Sequence, residues 1–284
     1  MKLTEAKITM ENAGIEVNEV ETVKGSCHVK GLSIGSGRIR PAFYEQTISG
    51  MNAEELMGFA QRTMAELPAF DPTEKLTKAY ILENCISCVR HETEGKTVRD
   101  RKEAVKWKVY GDLEEYIRVD LGEDPNGNHM SLIVTNSLLA SVKLSKKSLR
   151  DQARRHLRES VLIRSMPEVL NEIIRTGCVD VFRDPPEIPE EIMYVATNRT
   201  GQHGAAVMLL DDVLLDFCRK HGLRGVNIIP SSLHEVILVS PDTDGESLNA
   251  MIREVNQTEV DEWDRLSDHV YFFSADPAKP ASSL

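Results

Sequence analysis

The sequence lacks any long apolar run. No stretch reaches the roughly 18 apolar residues that a transmembrane helix requires. The first residues, MKLTEAKITMENAG, contain no apolar core of the kind found in secretory signals. Cysteine is scarce as well: 5 among 284 residues is an odd number, too small for a disulfide scaffold. These absences favour a cytoplasmic protein in a reducing compartment.

Positive charge is also in deficit. The formal net charge is −11, so the surface as a whole does not suit an anionic membrane or nucleic acid. The overall composition is ordinary, because 41% apolar and 28% charged residues are typical of a globular protein. The sequence therefore predicts an acidic globular protein that does not bind membranes.

Proline is concentrated in one segment, RDPPEIPEE, at Arg183–Glu191. Its prolines remove backbone donors and favour extended neighbours, while its glutamates favour contact with water. We therefore divide the chain into an N-terminal α+β region (1–182), this connector (183–191) and a C-terminal α+β region (192–274). The tail, 275–284, has no apolar period and is predicted to fray.

Three segments share one pattern, a strand-like run followed by a capped amphipathic helix. The helices begin at Asn52, Ser145 and Asp244, whose side chains can accept hydrogen bonds from the first turn. Apolar residues recur at helical spacing after each cap, at Leu56 and Ala60, Leu149 and Ala153, and Leu248 and Ile252. The pattern predicts an α+β fold with short antiparallel sheets and helices packed on one face. It is consistent with ββα-like internal repeats, although unrelated capped helices also look alike.

The stretch IPSSLHEVILVS, Ile229–Ser240, is either a turn before a strand or the edge of a catalytic site. Ser232 and Glu235 have the spacing of a helix capping box. The β-branched residues of the VILV run that follows favour a strand instead. We predict two strands, VNII and HEVILV, joined by the turn PSSL. Both faces of the second strand are apolar, so we expect it inside a sheet.

Several motifs occur in a fixed order: TN…GAA from Thr197, PSSLHEVILV from Pro230, REVN from Arg253 and LSDHVY from Leu266. In this respect the chain resembles an uncharacterised bacterial family that is classified only as a domain of unknown function. The resemblance implies no activity, cofactor or catalytic residue. It does imply that a set of polar residues belongs to the family pattern: Asn198, Ser231, Ser232, His234, Glu235, Asn256, Asp268 and His269.

The CISC motif places Cys85 and Cys88 in a pair that could bind metal or act in redox chemistry. A structural zinc site needs four ligands, usually from two such pairs, and the sequence offers no second pair. The flanks, KLTKAYILENCISCVRHE, have helical spacing, so we predict one helix that buries both cysteines. We expect neither a metal nor a cofactor.

The segment at 143–164 is strongly basic. Helical spacing places Lys147, Arg150, Arg154 and Arg158 along one exposed flank. Such a patch can bind phosphates or an acidic partner. The favoured alternative is a solvated helix face that the carboxylates of the protein itself neutralise.

The preferred hypothesis for function is a non-enzymatic cytoplasmic binding or interaction protein, with another protein as one candidate partner. It depends on the lack of a catalytic signature such as the G-x-S-x-G elbow. One alternative is a hydrolase or metal-dependent enzyme that uses Ser232, His234, Asp268 and His269. Another is a nucleic-acid-associated accessory protein that uses the basic helix. Convergence of His234, Asp268 and His269 in one cleft would favour the enzyme.

Overall fold

The structure is a computed structural model that describes residues 1–24, 27–35, 41–66, 75–92, 103–123, 129–175, 193–261, 264–276 and 282–283. The connector predicted at 183–191 lies outside these residues, as does most of the tail. Three antiparallel sheets with helices packed against them make up the described part of the chain, which confirms the predicted α+β class.

The first sheet has three strands. They are β1 (Val17–Lys24), β2 (Cys27–Ile34) and β3 (Ala42–Tyr44), accompanied by helices α1 (Leu3–Asn12), α2 (Glu45–Ser49) and α3 (Ala53–Glu66). Asn52 caps α3 as predicted, because its Oδ1 accepts the Glu55 amide at 3.0 Å and Glu55 accepts the Asn52 amide at 2.9 Å. Leu56 and Ala60 are fully buried against the sheet. The capped helix therefore closes a small core of its own.

The second sheet is built on its longest strand. Its strands are β4 (Cys85–His91), β5 (Lys106–Val109), β6 (Leu113–Glu123) and β7 (His129–Ile133), with helices α4 (Lys78–Asn84), α5 (Asn136–Ser141) and α6 (Lys146–Ser160). Strand β6 pairs with β4 along one edge and with β5 and β7 along the other. Ser145 caps α6 through the Ser148 amide at 3.1 Å, and Leu149 and Ala153 are buried. The second predicted cap is therefore also confirmed.

The third sheet has six antiparallel strands. Their order is β13 (Ser282–Ser283), β12 (Tyr271–Ser274), β10 (Gly225–Ile229), β11 (Val236–Val239), β9 (Met193–Asn198) and β8 (Val161–Ser165). Its helices are α7 (Met166–Arg175), a 3₁₀ helix (Gly204–Leu209), α8 (Asp211–His221) and α9 (Gly245–Thr258). Asp244 caps α9 as predicted, through the Ser247 amide at 2.8 Å.

Helices cover both faces of this third sheet. Val236 and Leu238 of β11 join the core formed by the 3₁₀ helix and α8. Ile237 and Val239, which point the other way, pack toward α9. We expected helices on one face only, and the six-stranded sheet differs because the strands at its centre are apolar on both sides. Strand β11 lies between β10 and β9, so the predicted interior strand is confirmed.

An antiparallel strand pair is followed by a capped helix three times in the chain. The pairs are β2–β3, β6–β7 and β10–β11, and the helices that follow are α3, α6 and α9. A short helix intervenes in the first two cases and not in the third. The element order is thus compatible with the ββα-like repeats that the sequence left open, within sheets of different size.

The CISC motif is not helical, and that prediction was wrong. Helix α4 ends at Asn84, and β4 begins at Cys85 and pairs with β6. Both cysteines are buried, but residues three apart on a strand point to opposite faces, so the two thiols cannot share a ligand. Burial raises the pKa of Cys85 to about 11 and that of Cys88 to about 12, which keeps both thiols protonated.

The second and third sheets share one core. Val89 of β4 and Leu157 of α6 pack with Ala196 of β9 and with the buried 3₁₀ helix. At the edge of this core, the Tyr110 hydroxyl donates to the carbonyl of Met208, a core residue, at 2.8 Å. This junction brings α6, β4 and the end of β9 together around the site described next.

Candidate functional site

Carboxylates of the protein pair with four basic residues of helix α6. Arg150 and Arg154 both bind Glu115, a fully buried residue of β6, at 2.6 Å. Arg150 also lies over the Trp107 ring at 4.7 Å. Burial by itself raises the pKa of Glu115, but the hydrogen bonds and charges of the two arginines outweigh it and lower the pKa.

The outer residues of the same helix are paired as well. Lys147 binds Asp151 at 2.5 Å, and Arg158 binds Asp212 at 2.6 Å. Lys147 and Arg158 lie on the exposed flank as predicted, but Arg150 and Arg154 are only 28% exposed, so the prediction was wrong for these two. Helical spacing correctly placed the two arginines beside each other, but it could not show that a buried carboxylate lies under them.

Most of the predicted polar residues lie at one end of the six-stranded sheet. The antiparallel register places the last residues of β9 and β10 next to the first residues of β11 and β12. Asn198 is the last residue of β9, and the loops beside the other strand ends contain Ser231, Ser232, His234, Glu235, Asp268 and His269. Asn256 reaches the same end from α9, where its amide donates to the Ser267 carbonyl at 2.9 Å.

These residues form two separate groups. In the first, His234 Nδ1 accepts the His203 backbone amide at 3.3 Å, and Nε2 lies 3.4 Å from Asp264. Ser232 accepts the backbone amide of His234, not a ring proton, and Ser231 donates to Glu235 at 3.4 Å. Because Nδ1 accepts a hydrogen bond, the His234 ring carries its proton on Nε2.

The second group surrounds Asp112 in the turn between β5 and β6. Tyr271 donates to this carboxylate at 2.9 Å, and Nε2 of His269 and of His91 lie 3.5 and 3.6 Å from it. Asp268 turns away and accepts the Asn256 amide at 2.8 Å. The structure thus gives His234 and His269 different carboxylate partners. Across the described ranges, no group of three or more His, Cys, Asp or Glu side chains is arranged to hold a metal ion.

A cleft of about 950 Å³ opens beside the first group, between the second sheet, α6 and the loop that follows β9. Acidic residues line it from α4 and β6, at Glu83, Asp120 and Glu123. Helix α6 adds His156 and Ser160, the end of β9 adds Asn198, and the loop after it adds Thr200, Gln202 and His203. The cleft therefore combines polar groups with apolar surface, part of it from Ile86 and Leu157, and is assembled from segments far apart in the sequence.

The loop after β9 is held by its own side chains. The Asn198 amide donates to the Gln202 carbonyl at 2.7 Å, and its oxygen accepts the Thr200 hydroxyl at 2.9 Å. Gly204 packs so closely that a Cβ there would overlap the Thr197 hydroxyl and the His234 carbonyl. These contacts hold His203 in a left-handed conformation, with φ of 54°.

His203 lines the cleft with a half-buried imidazole. Within the described residues its buried Nδ1 has no hydrogen-bond partner. Burial, with smaller contributions from Arg118 and His234, lowers its pKa to about 4. The ring is therefore neutral at physiological pH.

Another histidine of the cleft is fully engaged within the fold. Nδ1 of His156 lies 3.1 Å from the Cys85 carbonyl, and Nε2 lies 2.7 Å from the Gln152 amide nitrogen. A third, His129, lies 3.3 Å from Asp120. Of these three, His203 is the one whose buried ring nitrogen is left without a partner in the described part of the chain.

Reasoning from the sequence missed His203. The only signal was its place in TGQHG directly after a strand, where glycines on either side favour unusual backbone angles. Its significance depends on its left-handed conformation and on cleft walls contributed by α4, β4, β6, β7 and α6, and no local sequence pattern reveals either of these.

Comparisons with known proteins agree with the resemblance found in the sequence. Neither the curated proteins nor the solved structures contain a match to the chain. Among the helices that the structure describes, none is both long enough and apolar enough to span a membrane. The model of one family, described as a family of unknown function (DUF5688), matches residues 6–275. The chain therefore belongs to the DUF5688 family.

Proposed function

We propose that this protein is a bacterial, cytoplasmic binding protein that takes a small polar ligand into the cleft beside the six-stranded sheet. The observation that carries the proposal is His203. A left-handed histidine costs conformational energy, and residues under such strain cluster at functional sites. Here the loop contacts maintain the strain and direct an incompletely hydrogen-bonded ring to the cleft wall.

The size and lining of the cleft support a small-molecule ligand. Its volume of about 950 Å³ lies at the upper end of the range typical of ligand pockets. The loop and α6 offer amides, hydroxyls and imidazoles, which recognise a polar molecule by hydrogen bonds. Both cysteine thiols of the CISC motif are protonated, and the side chains of Ser232 and His234 are not bonded to each other, so these groups do not favour an enzyme.

A thermal-shift screen tests the proposal. The wild-type protein and His203→Ala are heated with a panel of amino acids, nucleosides, polyols and polyamines. A ligand that binds only the folded state stabilises it by about 2.7 kcal/mol at a concentration of 100 times its Kd. We expect at least one compound to raise the melting temperature of the wild type but not that of His203→Ala.

His91→Ala is the matched control, because His91 is a histidine outside the cleft that pairs with Asp112. It should respond to the same compound as the wild type does. The proposal is wrong if every stabilising compound acts equally on His203→Ala, or if none stabilises the wild type.

A further inference from the structure

We infer that His234 and Asp264 are positioning residues that hold His203 against the cleft. This inference rests on the proposed function, since it assigns the residues that keep the same site in its binding geometry. It concerns the loop at 230–235, which the sequence indicated to be either a turn before a strand or the edge of a catalytic site. The loop at 230–235 is then a turn that supports a site formed by the loop after β9.

The backbone around His203 is attached to the 230–235 loop on both sides. The His203 amide donates to His234 Nδ1 at 3.3 Å, and the Ala205 amide donates to the Leu233 carbonyl at 3.3 Å. The Thr197 hydroxyl donates to the His234 carbonyl at 2.7 Å, which joins the same loop to β9. Together these bonds fix the backbone before and after the left-handed residue.

Asp264 in turn fixes His234. Its backbone carbonyl accepts the Leu233 amide at 2.8 Å, and its carboxylate lies 3.4 Å from His234 Nε2. A carboxylate beside Nε2 favours the tautomer with the proton on Nε2, and this tautomer leaves Nδ1 free to accept the His203 amide. Asp264 therefore acts on the cleft through His234 and does not line the cleft itself.

Two substitutions of His234 separate positioning from mere packing. The amide oxygen of asparagine stands as many bonds from Cα as Nδ1 does, so His234→Asn can still accept the His203 amide. His234→Ala cannot. Both variants remove the imidazole, so a difference between them reports on the acceptor.

The readouts are the pKa of His203, measured by NMR, and amide exchange across residues 198–204. In His234→Ala we expect the pKa to rise from about 4 toward its ordinary value, because the ring leaves its buried place. Amide exchange in the loop should become about tenfold faster, the order expected from the loss of one hydrogen bond. His234→Asn should keep both properties near those of the wild type, and so should the control His269→Ala, which lies in the Asp112 group.

The inference is overturned if His234→Ala leaves both the pKa and the exchange unchanged, or if His234→Asn changes them equally. If His234→Ala does not fold, Asp264→Ala decides the matter, since it should raise the pKa of His203 in the same direction and an unchanged pKa contradicts the inference. Neither result depends on a ligand. The thermal-shift comparison with His203→Ala therefore tests the proposed function separately.

Discussion

The imidazole of His203 makes the stability of the protein depend on pH. Its pKa is lowered to about 4 in the folded protein, against about 6.5 in an unfolded chain. The unfolded chain therefore binds this proton first as the pH falls. The stabilisation from neutral His203 is complete above about pH 6.5 and is lost as the pH falls toward 4, by about 3 kcal/mol in all.

The comparison of wild type with His203→Asn isolates this effect, because asparagine tolerates the left-handed conformation and does not titrate. Between about pH 7 and pH 4.5, urea unfolding should show a loss of free energy in the wild type that exceeds the loss in the variant by about 2–3 kcal/mol. Equal losses would mean that the His203 ring is not buried in solution.

Glu115 is a fully buried carboxylate whose charge is matched by two arginines of α6. Glu115→Gln keeps the shape of the side chain but leaves Arg150 and Arg154 half-buried without their counter-charge. We expect a loss of about 3–5 kcal/mol in the free energy of unfolding, as when one partner of a buried pair is removed. Asp151→Asn, which breaks the exposed pair with Lys147, should cost no more than about 1 kcal/mol. Similar losses of unfolding free energy in the two variants would contradict a buried ion pair between Glu115 and the two arginines.

At the scale of the elements, local chemistry was sufficient to predict how helices begin. Asn52, Ser145 and Asp244 each cap the helix expected of them, because a cap depends on a side chain and amides three residues away. The strand after the PSSL turn was predictable for the same reason. The strand begins at Val236 and not at His234 as predicted, because Ser232 and Thr197 form hydrogen bonds with the His234 backbone.

Interactions between distant elements could not be predicted in this way. Ile81 and Cys85 have helical spacing, but pairing with β6 turns the second half of that segment into a strand. The partner of Arg150 and Arg154 lies more than 30 residues away, on β6. His203 was missed because its cleft exists only after the second and third sheets have packed.

The interior position of strand β11 can be tested by substitution. Leu238 is fully buried in the core shared by the 3₁₀ helix and α8, so Leu238→Ala should lower the free energy of unfolding by about 2–5 kcal/mol. Ser232→Ala removes one acceptor for the His234 amide and should cost about 0.5–1.5 kcal/mol. Denaturant unfolding of both variants shows which substitution lowers the free energy of unfolding more. A milder effect for Leu238→Ala would contradict the interior position of the strand.

The charge distribution of the whole molecule argues against nucleic acid as a partner. The net charge is −11, and the four predicted patch residues of α6 all pair with carboxylates of the protein. We expect no binding to a labelled duplex DNA in fluorescence anisotropy, even at low ionic strength. Binding that weakens with salt and is lost in Arg158→Glu, but not in Arg219→Glu on α8, would contradict this expectation.

The cleft is a property of the whole fold, since its walls come from the second sheet, from α6 and from the loop after β9. In the function that we propose, this cleft presents a neutral His203 to a ligand. The most direct test is NMR of protein labelled with ¹⁵N-histidine, with the His203 signals assigned by their loss in His203→Asn. We expect a neutral His203 ring at about pH 5. We also expect its ring-nitrogen signals to shift when a stabilising compound from the thermal-shift screen is added, while those of His269 do not shift. A doubly protonated His203 ring at that pH, or a ligand that leaves its nitrogen signals unchanged, would mean that the cleft does not present a neutral His203 to its ligand.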